Sequence, residues 1–195
     1  LLTAHPSAGA NTLADLVNAG RNRPLNYGSS GAGSSIHLTT ELLKTAANIP
    51  MTHVPYKGSG PAFVDLLAGQ IQVLFSSTVS SMPHVKSGKV RGLALTSLKR
   101  VAALPDIPTI AESYSGFESS SWFGLLAPAK TPAVISERLF ADTRAALKAG
   151  EMRQALVSQG AEPGGSPPAE FTAYFQGEIA KWAKVVKSAG VRLEQ

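Results

Sequence analysis

Apolar residues along the chain fall into short runs with two spacings. Over 12–21, Leu13, Leu16 and Val17 share one helical face behind Asn11 or Thr12 as a cap, and Pro24 ends the pattern. Leu25-Asn26-Tyr27 then reads as a short strand, and 36–46 as a helix. Strand spacing returns over 51–54, helical spacing over 62–68, and Gly69 stands where a helix C′ residue belongs. Residues 71–75 form the next predicted strand, 80–86 a helix closed by Gly88, and 90–95 another strand. Alternation of this kind predicts an α/β unit around a parallel or mixed sheet with helical crossovers.

The character changes after Thr96. Residues 99–112 are loop-rich, while 117–121 and 122–127 read as extended, with Pro128 and Pro132 bracketing a turn. Helical patterns follow at 133–148, 151–159 and 168–188, the last two separated by a Pro/Gly linker over 162–168. The organisation expected is therefore an α/β domain over 5–120 and a mostly helical part, one strand plus helices, over 121–195. Three helices and one strand make a poor domain alone, so 121–195 reads as part of a second domain. Leu1-Leu2-Thr3-Ala4-His5-Pro6 has no initiator Met, basic n-region or long apolar h-region. It reads as the end of a strand already inside a fold, and the chain is expected to begin within a larger protein.

Composition narrows the classes. Of 195 residues, 44% are hydrophobic and 16% charged, which argues for a globular fold and against disorder. No apolar run approaches the roughly 18 residues of a membrane helix. With no cysteine, thiol chemistry, disulfides and Cys-based metal sites are excluded, which fits an oxidising compartment. The net charge of +5 favours anions. Its Lys and Arg are scattered, however, without a basic run or interleaved aromatics, so nucleic acid is not an expected partner.

Two loops carry the candidate chemistry. Gly28-Ser29-Ser30-Gly31-Ala32-Gly33-Ser34-Ser35 joins a strand to a helix, and so does Tyr56-Lys57-Gly58-Ser59-Gly60-Pro61. A Gly/Ser turn opening a helix points free backbone N–H groups at whatever lies in front of it, which suits a small anion. The first loop lacks the P-loop lysine, Ser34 standing in its place, and Ile36 replaces the third glycine of a dinucleotide fingerprint. A G-x-S-x-G elbow also fails at Ala32. No spacing among His5, His37, His53 and His84 fits a metal site, and no sequence signal pairs a serine with a base. Tyr56 and Lys57 read as a phenol and a cation able to hold a carboxylate, or as an exposed turn pair. Ser76, with Ser77 and Thr78, reads as a third rim of hydroxyls or as a helix cap. Trp122 and Phe123 read as core before a second reading, aromatics that wall a cleft at a domain crossing.

Tyr27-Gly28-Ser29-Ser30-Gly31, His53-Val54-Pro55-Tyr56-Lys57-Gly58, Asp65-Leu66-Leu67-Ala68-Gly69, Leu104-Pro105-Asp106-Ile107-Pro108-Thr109 and Trp122-Phe123-Gly124-Leu125-Leu126-Ala127-Pro128 keep one order along the chain. In these motifs it resembles the Bug receptors, extracytoplasmic solute-binding proteins of tripartite tricarboxylate transporters. The resemblance implies a type II periplasmic-binding-protein fold, with 5–120 as the second domain and 121 onward returning to the first, whose N-terminal part is absent. It also implies hinge crossings near 4–8 and 119–124, a periplasmic location, no enzyme activity and no cofactor. A small organic acid and membrane transporter components are the implied partners, and exposed helical faces after residue 132 leave room for self-association. The ligand residues carried over are Ser29, Ser30, Gly31, Ser34, Tyr56, Lys57, Gly58 and Ser59. Ser76 stands where many members carry an Asp, which favours an acid without an amine. The competing readings are a ligand-sensing effector module of a regulator and an acyl or phosphoryl transfer enzyme using the Gly/Ser loop.

Overall fold

The computed structural model describes residues 1–101, 104–158 and 162–191, which divide into two units. The first holds 1–121 and the segment from 182 onward; the second holds 122–181.

Five strands of the first unit, β1 (Leu2–Ala4), β2 (Asn26–Ser29), β3 (Thr52–Pro55), β4 (Val73–Phe75) and β5 (Arg91–Ala94), form one sheet in the order β3-β2-β4-β1-β5. β2 is parallel to both β3 and β4, whereas β1 lies antiparallel between β4 and β5. The sheet is thus mixed, as the alternation predicts. Its connecting helices are α1 (Leu13–Asn22), α2 (Ser35–Ala47), α3 (Ser59–Leu67) and α4 (Thr78–Lys86). Thr12 caps α1 through a capping box with Asp15, and Gly69 follows α3 at φ 76°, the left-handed conformation expected of a C′ glycine.

Side-chain alternation along the strands builds two cores. Val73 and Phe75 pack with Leu13, Leu16 and Leu43 of α1 and α2. Leu74 turns the other way, onto Ala62 and Leu66 of α3. α2 and α3 therefore cover opposite faces while leaving adjacent parallel strands. The loops that follow β2 and β3 diverge at the carboxyl edge, where open α/β sheets hold ligands.

Three sequence expectations change here. α3 begins at Ser59 and not at residue 62, because Pro61 falls in the first turn, where its missing N–H leaves no bond unmade. Residues 122–127, expected to be extended, form no strand, since no neighbouring strand among the described residues of the second unit supplies a ladder. Trp122 instead lays its ring against the edges of Phe171, Tyr174 and Phe175, and its indole N–H donates to Glu178. Phe123, expected in the core, is 100% exposed. The helices here are α5 (Ala133–Lys148), α6 (Gly150–Ser158) and α7 (Pro168–Ala189), whose last residues, including buried Val185, belong to the first unit. The predicted end of the middle helix at 159 lies outside the described residues. No helix among them is long and apolar enough to cross a membrane.

A surface ion pair pins the loop after β5. Arg100 donates to both carboxylate oxygens of Glu112, at 2.8 and 2.7 Å. That fork, helped by the Thr109 N–H, lowers the Glu112 carboxyl from its ordinary 4.5 to about 2. A depressed acid stabilises the fold above its unfolded value and loses that contribution as pH falls through its folded value. In a carboxyl-detected NMR titration, Glu112 is expected to titrate near 2, and Arg100→Gln to return it toward 4.5.

Candidate functional site

The first loop continues β2 and is tied to the second. The Tyr56 N–H donates to the Ser29 carbonyl at 3.1 Å, which keeps the two turns side by side at the carboxyl edge. Gly31, at φ 124°, runs so close that a Cβ there would lie 3.6 Å from the Tyr56 carbonyl oxygen. Ser30, Gly31 and Ser34 are half-exposed along the loop, and Ser34 caps α2 by accepting the His37 N–H. Loop bonds consume the N–H groups of Gly31, Gly33 and Ser34. Ser35 and Ile36 precede the first helical ladder bond, from Leu38 to Ser34, so their N–H groups face outward from the positive end of α2.

The second loop ends in a helix without a side-chain cap. Gly58, at φ 113°, stands at the N-cap of α3, so the N–H groups of Ser59 and Gly60 open onto the same edge. Lys57 and Ser59 are exposed beside them. The structure thus ties the loop that carries Ser30, Gly31 and Ser34 to the turn that leads into Lys57, Gly58 and Ser59, through Ser29 and Tyr56.

Three predicted residues are engaged otherwise. Ser29 is fully buried: its hydroxyl donates to the Gly31 carbonyl, accepts the Gly31 N–H and meets His53 Nε2 at 2.6 Å. The Tyr56 phenol donates to Asp65 of α3 at 2.7 Å, and burial together with that bond raises it to about 12. Ser76, half-buried at the end of β4, bonds the Ser81 hydroxyl, while Ser77 caps α4. We expect Tyr56→Phe to cost about 1.5 kcal/mol in denaturant unfolding, the lower end for loss of one hydrogen bond to a carboxylate. Its effect on carboxylate affinity should be less than about threefold, because the phenol is already committed to α3.

Sequence reasoning missed what lies under the first loop. Register places Tyr27 opposite His53, and the two rings stack with centroids 4.9 Å apart. His37, from the first turn of α2, stacks on His53 at 3.8 Å and lies 6.2 Å from the Tyr27 ring. The Gly33 N–H donates to His37 Nδ1 at 3.0 Å. The Tyr27 phenol donates to Glu41, which also binds Lys44 at 2.6 Å. Burial and the Glu41 contact push the Tyr27 phenol well up. Burial pushes His53 down to about 4, with His37 as the next cause, and burial lowers His37 as well. The Ser29–His53 contact is a serine–imidazole pair with no signal in the local sequence. Its oxygen is nonetheless buried and shared with the Gly31 backbone, and among the described residues no carboxylate bonds His53.

An open mixed sheet carrying donor-rich helix starts at its carboxyl edge fits the type II periplasmic-binding-protein fold that the resemblance implies. The comparisons with known proteins agree. The family described as "Tripartite tricarboxylate transporter family receptor" (TctC) matches residues 1–191. BugT of Bordetella pertussis is 33% identical over 100% of this chain and 60% of its own. Among solved structures, R. palustris Rpa4515 with adipate superposes with a TM-score of 0.86 at 40% identity, covering 100% of this chain and 66% of that one. MatC from Rhodopseudomonas palustris with bound malate gives 0.78 at 30% identity, covering 95% and 65%. This chain belongs to the tripartite tricarboxylate transporter receptor family. It spans about 60% of the length of BugT.

Proposed function

We propose that the protein is a periplasmic receptor that captures a small dicarboxylate and delivers it to the membrane components of a tripartite tricarboxylate transporter. The observation that carries this reading is the pair of open helix starts, at Ser35-Ile36 and Ser59-Gly60, set side by side at the ends of β2 and β3. Their N–H groups and dipoles would neutralise a carboxylate without a buried counter-ion. Ser30, Ser34 and Ser59 would add hydroxyl donors and Lys57 a rim cation. Relatives solved with adipate and malate support a dicarboxylate. The assignment of 5–120 to the ligand domain and of 121 onward to the family's first domain belongs to the same proposal.

Ser76 offers no fixed negative charge for an ammonium group, so the ligand proposed lacks an amine. Isothermal titration with adipate, malate, glutamate and hexanoate tests this. Adipate or malate is expected to bind at least about tenfold more tightly than glutamate or hexanoate. Glutamate as the best ligand would overturn the amine argument, and no heat from either dicarboxylate would overturn the receptor reading.

A further inference from the structure

The stacked imidazoles under the first loop are not part of the proposed anion cradle, yet both grip it. We propose that His37 and His53 are positioning residues for the 29–34 loop and that His37 holds it in its carboxylate-binding form only while its ring is neutral, so that capture weakens as pH falls. This rests on the dicarboxylate reading for its ligand, but its structural half stands apart from it.

The geometry gives the reason. Gly33 presents an N–H to His37 Nδ1 at 3.0 Å, so Nδ1 must be a bare acceptor. An imidazolium carries hydrogen on both nitrogens, and its Nδ1–H would face the Gly33 N–H head-on. His53 reaches the other end of the loop through Ser29, whose hydroxyl also braces both polar groups of Gly31. The two rings lie 3.8 Å apart and 13° from parallel, so charge on either raises the cost of charge on the other.

The other titratable groups facing the pair nearly offset one another. Glu41 of α2, 3.9 Å from His37 Nε2, favours a proton there, but Lys44 of the same helix sits 2.6 Å from that carboxylate. β2 contributes Tyr27, a neutral phenol committed to Glu41, and residues 28–34 carry no titratable side chain. Burial then decides, holding His37 below its ordinary 6.5 and His53 at about 4. A form in which Gly33 has left Nδ1 binds the proton more readily, so lowering the pH populates it.

NMR on the native chain tests this by following the Gly33 amide and the His37 ring from neutrality to a pH of about 4. The two are expected to move together, with a midpoint below 6.5. His37→Asn keeps an acceptor oxygen near the Nδ1 position but takes no proton. It should hold the neutral-pH Gly33 shift and lose its pH dependence, whereas His37→Ala should displace Gly33 at every pH. Adipate affinity, compared at the same pH values so that the acid's own titration cancels, should fall about tenfold further in the native chain than in His37→Asn. A Gly33 amide that ignores the His37 ring, or an Asn variant with native pH dependence, overturns the proposal. Where the Asn variant does not fold, the native titration decides alone. Failure of adipate to bind at neutral pH counts against the receptor reading, and the Gly33 titration still judges the positioning role.

Discussion

Gly28→Val is expected to destabilise the protein by about 3 kcal/mol, the upper part of the usual overpacking range. Gly28 lies in β2 on the face that meets α3. A Cβ there would come within 2.4 Å of Ile71 Cδ1 and 3.4 Å of both Ala62 Cβ and the Tyr56 ring. Ile71 and Ala62 are buried, so neither has free space to retreat into. Valine adds two further methyl groups to that gap and pushes Tyr56, whose phenol holds Asp65 and whose backbone opens the second ligand turn. Thermal unfolding should lose about 6–12 °C in midpoint. The mechanism has its own check. Ile71→Val deletes the Cδ1 that a Cβ at residue 28 would strike, so Gly28→Ala should be less costly in an Ile71→Val background than alone. An additive pair would show that the lost stability comes from backbone freedom rather than from the clash.

The same glycine marks where the sequence can be read and where it cannot. Periodicity places β2, β3, β4 and β5 and the helices between them: in β4, Val73 and Phe75 face one core and Leu74 the other, and α1 buries Leu13, Leu16 and Val17 on one face. The turn residues also place both candidate loops at strand ends. Direction is another matter. Leu2, Thr3 and Ala4 are all buried, and nothing in three such residues states that β1 runs antiparallel between β4 and β5. The start of α3 is hidden because Ser59, Gly60 and Pro61 read as a turn by propensity, yet all three are tolerated in a first turn. The run at 122–127 has strand-like composition, but a strand needs a partner and none pairs with it among the described residues. The histidine stack is the deepest omission. It depends on the pairing of Tyr27 with His53 and on α2 delivering His37 from another part of the chain. Neither register nor helix placement is a local property, so two histidines sixteen positions apart carry no visible signal. Tyr56 shows the converse: its sequence neighbours Lys57 and Gly58 suggest a ligand, while the distant Asp65 takes the phenol.

Ser29→Ala should weaken carboxylate capture more than any exposed serine of the cradle, although Ser29 itself is buried and its hydroxyl is already engaged. That one oxygen makes three contacts: with the carbonyl of Gly31 at 3.0 Å, with its N–H at 3.1 Å, and with His53 Nε2 at 2.6 Å. Alanine leaves those partners without it, and an unmade bond at a part-buried group costs about 1–3 kcal/mol. The chain can take that loss in two ways. If the loop keeps its conformation, the whole penalty appears as lower stability, a fall of about 2–12 °C in the unfolding midpoint. If Gly31 swings out to water, stability is largely spared and the ligand must restore the loop, so adipate affinity drops by about tenfold for each 1.4 kcal/mol. We expect the second course to dominate, because Gly31 is half-exposed and, as a glycine at φ 124°, gains freedom on release. Thr12→Ala is the control. It removes the cap of α1 and costs about 1 kcal/mol of stability. Its neighbour Asn11 bonds Arg91 at the opposite edge of the sheet, where β5 starts, so adipate affinity should not change. Equal affinities with a lower midpoint would mean that the loop keeps its conformation; equal affinities with an unchanged midpoint would mean that the loop does not contribute to the ligand shell.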